Sequence, residues 1–232
     1  MGTILAMNAQ SIWPLLAAGF LVLSGCGTEQ QSPLVQVARS LPSIFQSGGE
    51  SAPQRPDDLL TRAEIEQVTV PYGIVGIDSR GAFATMTLVG ESRGYKTWVT
   101  GDGAGFVLRG DLLTGTKGLG PDLYSADIGT LAQAIAQGGG TSTRVHRYSD
   151  GEGRLFSVRF DCTLAAQGAE AITIIGRIHQ TRVLTETCVS NQETFENRYW
   201  IGAGDDVMWQ SRQWVGTDLG YVTLLTLVPV AR

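Results

Sequence analysis

Gly90-Glu91-Ser92-Arg93-Gly94 spells the G-x-S-x-G of a hydrolase nucleophile elbow. That chemistry needs a strand before the serine and a helix after it. Here Tyr95–Thr100 (YKTWVT) reads as another strand, so the glycines are expected to make a β-hairpin loop. Gly101-Asp102-Gly103-Ala104-Gly105 and Gly115-Thr116-Lys117-Gly118-Leu119-Gly120 are rich in glycine. Neither places a lysine after the last glycine of a phosphate-binding loop, so both read as turns. His146 and His179 stand alone on separate strands, with no partner at metal-ligand spacing. Asp102, Asp111, Asp122 and Asp127 lie in or near turns, and Asp205-Asp206 reads as a hairpin tip. Two of the turn carboxylates meeting in space would make a glycosidase pair, but nothing in the chain singles out which. No catalytic residue, metal ligand or cofactor is assigned.

Two other groups are more distinctive. Cys162 and Cys188 sit near the ends of expected strands, with no Cys-x-x-Cys spacing. In an oxidising compartment they are expected to pair, with two buried thiols as the alternative. Near the C-terminus Tyr199, Trp200, Trp209, Trp214 and Tyr221 cluster, with Arg212 and Gln213 beside Trp214. Flat rings with a polar edge can pack across strands, anchor an interface or stack on sugars. All three readings stay open.

These residues must be positioned by strands. Thirty glycines in 232 residues, without a period, go with 43% hydrophobic residues. That combination points to a turn-rich β protein with a substantial core. Ala82–Val89, Leu155–Cys162, Ala171–Ile178, Arg182–Val189, Arg198–Ile201, Val207–Trp214 and Tyr221–Val228 read as strands. In Leu155–Cys162 the residues Phe156, Val158, Phe160 and Cys162 share one face. Ala126–Gln137, closed by Gly138-Gly139-Gly140, reads as a helix. Thr61-Arg62-Ala63-Glu64 spells a capping box, which predicts a short helix over 62–67. The expected body is therefore all-β, an antiparallel meander forming a curled sheet, a sandwich or a partly open barrel, with one or two short helices.

Seventeen Lys and Arg against twenty-two Asp and Glu give a net charge of −5. The dense basic field of a nucleic-acid binder is missing. At the N-terminus no charged residue precedes Glu29, and Ile12–Leu23 is an apolar run too short for a bilayer span. It fits the hydrophobic region of a secretory signal. Leu23-Ser24-Gly25-Cys26 resembles the lipobox of bacterial lipoproteins. The resemblance implies removal of 1–25 and acylation of Cys26, with Gly27 rather than Asp next to it favouring the outer membrane. More than one acyl chain would anchor the protein stably. Residues 26–58, rich in Gln, Ser, Pro and Gly, read as a flexible tether, and 59–232 as one domain.

With the lipobox, the segments Pro71-Tyr72, Lys96-Thr97-Trp98-Val99, Thr116 through Leu123, Glu186-Thr187-Cys188, Asn197-Arg198-Tyr199-Trp200, Ser211-Arg212-Gln213-Trp214, Leu219-Gly220-Tyr221 and Pro229 form a set. Taken together they resemble the YjbF family of group 4 capsule polysaccharide lipoproteins. The resemblance implies a non-enzymatic, lipid-anchored accessory of exopolysaccharide or capsule production and export. It would sit at the outer membrane, facing the periplasm, beside a β-barrel partner of the YjbH type and the polysaccharide itself. Two rivals remain from other classes. One is a polysaccharide-modifying enzyme using turn carboxylates; the other is a lipid or lipoprotein carrier.

Overall fold

The structure is a computed structural model that describes residues 55–150 and 152–231. Twelve antiparallel strands form one nearly closed, barrel-like sheet. They are β1 (Tyr72–Ile77), β2 (Ala82–Ser92), β3 (Tyr95–Thr100), β4 (Gly105–Arg109), β5 (Leu112–Lys117) and β6 (Leu123–Asp127). After the helix come β7 (Gly140–Ser149), β8 (Leu155–Ile174), β9 (Arg177–Val189), β10 (Thr194–Gly202), β11 (Met208–Gly216) and β12 (Gly220–Val228). The order across the sheet is β5-β4-β3-β2-β1-β12-β11-β10-β9-β8-β7-β6. The first and last strands therefore pair with each other, β1 on β12 from Tyr72↔Val228 to Ile77↔Val222. The two sheet edges, β5 and β6, are neighbours in sequence.

Alternation sorts the side chains into an inner and an outer layer. Inside, Val75, Met86, Trp98, Phe106, Leu113, Leu184, Ile201 and Val222 are among the residues of the main core. Helix α2 (Leu131–Gln137) adds Leu131 and Ala134 to it. Outside, a second core gathers Ile74, Ile174, Val183, Trp200, Trp209, Leu225 and Leu227. It is covered by Ile65 of helix α1 (Arg62–Ile65) and by Leu59, Leu60 and Val68 around it. The capping box is formed as the sequence predicts: Thr61 N donates to Glu64 Oε2 at 2.7 Å, and Glu64 N donates to Thr61 Oγ1 at 3.3 Å. Arg62 then ties this cover to the β8–β9 turn, donating to the carbonyls of Ile174 and Ile175 at 2.6 and 3.0 Å.

Several boundaries differ from the sequence reading, each for a local reason. Leu155–Cys162 and Ala171–Ile178 are not separated by a loop. One twenty-residue strand, β8, runs from Leu155 to Ile174, and the turn falls at Ile175-Gly176. Both turn residues have positive φ, 45° and 71°, the pattern of a tight hairpin. The helix expected from Ala126 begins only at Leu131. Ala126 and Asp127 still pair with β7, and the Asp127 carboxylate accepts Gly129 N–H at 3.0 Å to turn the chain. The glycine-serine motif is a hairpin, as its flanks predict: Ser92 pairs with Tyr95 across Arg93-Gly94. Among the described residues no helix is long and apolar enough to cross a membrane.

Candidate functional site

The inner wall made by β7, β9 and β10 carries a cluster of buried charged and polar side chains. On β7 the inward positions are Ser142, Arg144 and His146, all buried. On β9 the inward Glu186 is fully buried, and β10 adds Asn197 and Tyr199. Arg144 grips the Glu186 carboxylate with two nitrogens, Nε to Oε1 at 2.9 Å and Nη2 to Oε2 at 2.9 Å. Oε2 also accepts from Tyr199 OH at 2.7 Å and from Asn197 Nδ2 at 2.8 Å. Arg144 Nη2 reaches the Tyr199 oxygen as well, at 2.9 Å. Burial pushes the Glu186 carboxyl up, but the Arg144 guanidinium and these donors outweigh it and hold the carboxyl below its ordinary range. The charge is thus paired and fully hydrogen-bonded, the condition under which a buried ion persists.

Asn197 has a second task. The β10–β11 ladder stops at Arg198↔Arg212, although both strands continue. Beyond it, Asn197 Oδ1 accepts Trp214 N–H at 2.7 Å. One carboxamide therefore replaces a lost rung and links the buried carboxylate to β11.

His146 lies next to this network. Tyr148 OH donates to the Val215 carbonyl at 2.8 Å, so its oxygen is free to accept from His146 Nδ1 at 3.1 Å. That assigns the Nδ1–H tautomer. Burial, helped by the Arg144 charge, pushes the imidazole pKa down to about 3, so the ring is neutral. It is packed by Phe160 and stacked on Phe195 at 5.7 Å between centroids. Cys162 and Cys188 face each other in the same layer and are bridged. The donor atoms of Cys162, Glu186 and Cys188 lie within 4.8 Å of one another. The disulfide occupies both sulfurs and Arg144 grips the carboxylate, so this trio offers no metal site as it stands.

The aromatic residues of the tail divide. Tyr199 and Gln213 point inward and are buried; Gln213 accepts Leu113 N–H at 2.9 Å and donates to Ser211 and the Asp111 carbonyl. Trp200 and Trp209 are buried in the outer core, where Arg198 lies over the Trp200 ring and His179 over Trp209. None of these four presents an open face to a partner, because the cover around α1 or the barrel wall fills the space. Trp214 and Tyr221 are half-buried and meet edge to face. Arg212 sits over Tyr221, 3.5 Å from its centroid, and donates to Asp78 at 2.6 Å. Cys26 lies outside the described residues.

The turn carboxylates serve their own loops. Asp122 accepts from Thr116 Oγ1, Gly118 N and Leu119 N at 2.8–3.1 Å. Asp102 accepts from Thr100 and Asp205 from Val207 N and Trp209 Nε1. Sequence reasoning did not find the Arg144–Glu186 pair. The signal available was the alternation of Ser142, Arg144 and His146 along one strand.

Several openings remain among the described residues, and two are roomy. One, of about 340 Å³, lies under α2 and is lined by Leu112, Ala132, Ile135, Ile201 and Met208 and by the charged Arg109, Asp111, Arg182 and Asp206. The other, of about 490 Å³, lies at the seam between β5 and β6.

A packed, nearly closed antiparallel barrel with a charged pair sealed in its wall defines the class. Residues 38–227 match the YjbF family, described as group 4 capsule polysaccharide lipoprotein gfcB, YjbF, and the chain belongs to that family. Its fold is similar to that of the hypothetical lipoprotein YmcC from Escherichia coli (K12), known from a crystal structure. The TM-score is 0.66 and the identity 20%, over 78% of this chain and 100% of that one. No curated protein matches the sequence significantly.

Proposed function

We propose that this chain is a lipid-anchored accessory of capsule or exopolysaccharide production and export, acting by contact rather than catalysis. The family match over residues 38–227 carries the reading. The turn carboxylates support the non-catalytic part, since Asp102, Asp122 and Asp205 are engaged by donors of their own loops. In this reading residues 1–25 are a signal peptide, acylated Cys26 fastens the protein to the outer membrane, and 26–58 tether the barrel on the periplasmic side. A β-barrel secretion protein of the YjbH type is the expected neighbour. Deleting the protein should lower surface and released polysaccharide, with wild-type complementation restoring both. Cys26→Ser should abolish palmitate labelling and restore export poorly. Unchanged polysaccharide after deletion would refute the role.

One observation favours a second reading, a carrier of an acyl chain. The cavity under α2 has an apolar wall of Leu112, Ala132, Ile135, Ile201 and Met208, with Arg109, Asp111, Arg182 and Asp206 also lining it. Native mass spectrometry of the purified protein would then show a bound lipid, displaced in Ile135→Trp.

A further inference from the structure

The geometry points to the β5–β6 seam as a binding groove for an acidic saccharide segment. This rests on the polysaccharide reading above and names where, and through what chemistry, the polymer is held. The sheet closes everywhere except here: β5 and β6 are the two ends of the strand order and share no ladder. They run side by side without a ladder: Thr116 Oγ1 accepts Leu123 N–H at 2.9 Å, and the carbonyls of Leu123 and Tyr124 lie over Gly115. The 490 Å³ opening at this seam is lined by residues of both strands and of β3, β4 and β7.

The side chains at the opening fit the same class of ligand. Tyr95 and Tyr124 line it and are exposed, by 40% and 62%. Tyr124 is among the most exposed large hydrophobic side chains described. A tyrosine ring offers an apolar face to a sugar ring and a polar edge to its hydroxyls. Arg109 and Arg147 flank the groove. Among the described residues neither forms an ion pair; Arg109 lies over the Tyr95 ring at 5.7 Å. Guanidinium groups pair with carboxylates in a planar, bidentate fashion. One carboxylate faces them, Asp127, whose Oδ1 already accepts Gly129 N–H. Two arginines against one turn-bound aspartate leave a positive groove in a protein of net charge −5.

The test uses the full chain in detergent micelles. Polygalacturonate, dextran as a neutral control, and the surface polysaccharide of the producing cells are titrated by calorimetry. The expected result is at least tenfold tighter binding of an acidic polymer than of dextran, weakening as salt rises. Arg147→Gln and Tyr124→Ala should each weaken it about tenfold without moving the melting temperature. Equal retention of dextran, absence of binding by every acidic polymer including the cells' own, or wild-type affinity in both variants would overturn the site. Export separates this from the broader role. If deletion abolishes export while both variants export normally, the groove assignment falls and the accessory role stands. If deletion leaves export intact, the accessory role falls whatever the groove binds.

Discussion

Arg144 and Tyr199 meet one carboxylate inside the barrel wall, whereas Arg109 and Tyr95 meet each other at the open seam. The residue types are the same and the surroundings opposite. Inside, every donor that converges on Glu186 is fixed by a strand on either side, and the group is sealed from water. At the seam the arginine is exposed and lies over a ring face. The difference separates two kinds of polar residue in a β-barrel. Those facing into the barrel hold the wall together, while those facing outward at the seam remain available to a ligand. Four perturbations would break or sharpen this division.

The largest effect is expected at Arg144. Arg144→Met leaves the Glu186 carboxylate buried without its cation, which costs roughly 3 to 5 kcal/mol. Arg144→Met combined with Glu186→Leu should regain most of that loss in urea unfolding. A double variant as unstable as the single one would mean that the wall depends on the ion pair itself and not on the absence of a stranded charge. Next comes the disulfide, whose cysteines are 26 residues apart. Replacing both by Ala should lower unfolding free energy by about 3.5 kcal/mol on the loop-entropy account.

The third perturbation is pH. The imidazole of His146 has a folded pKa of about 3, below its ordinary 6.5. The unfolded chain therefore binds a proton that the folded one refuses, and stability falls as pH drops from about 6.5 towards 3. The slope approaches roughly 1.4 kcal/mol per pH unit. His146→Leu should flatten the melting temperature between pH 6 and 5. Glu186 enters lower down: its carboxyl is depressed below 4.5 in the folded state, so its contribution is present above that value and lost only as pH falls through the folded pKa. The smallest effect on stability belongs to the seam. Tyr124→Ala should change unfolding free energy by no more than about 0.5 kcal/mol, the converse of Arg144. A large loss there would place Tyr124 in the wall.

How much of this was legible in the sequence follows from the same division. Phe160 and Cys162 were readable because an inward apolar set alternates with outward polar residues on that strand. The pattern overreached at Phe156, which shares their face and yet is 50% exposed, covered only in part by Tyr148. Of β7 only a strand at His146 was read, and its extent and buried face were missed because its inward set is Ser142, Arg144 and His146, which reverses the hydrophobic code. Ala165–Ala171 looked like a break because small residues carry little strand preference; pairing with β9 holds that stretch extended. The capping box at Thr61 and the hairpin at Arg93-Gly94 are local devices, and local chemistry sufficed for both. The seam is a property of closure. No single strand announces that β5 and β6 end the sheet, so Tyr124 and Arg147 gave no sign of sharing a groove.

The most direct test places a photo-crosslinking amino acid at Tyr124, and separately at Ile178, an exposed residue on β9, in living cells. Irradiation should join position 124 to uronate-bearing polysaccharide and leave position 178 unlabelled. Equal labelling at both positions, or none at 124 in cells that export normally, would contradict the account.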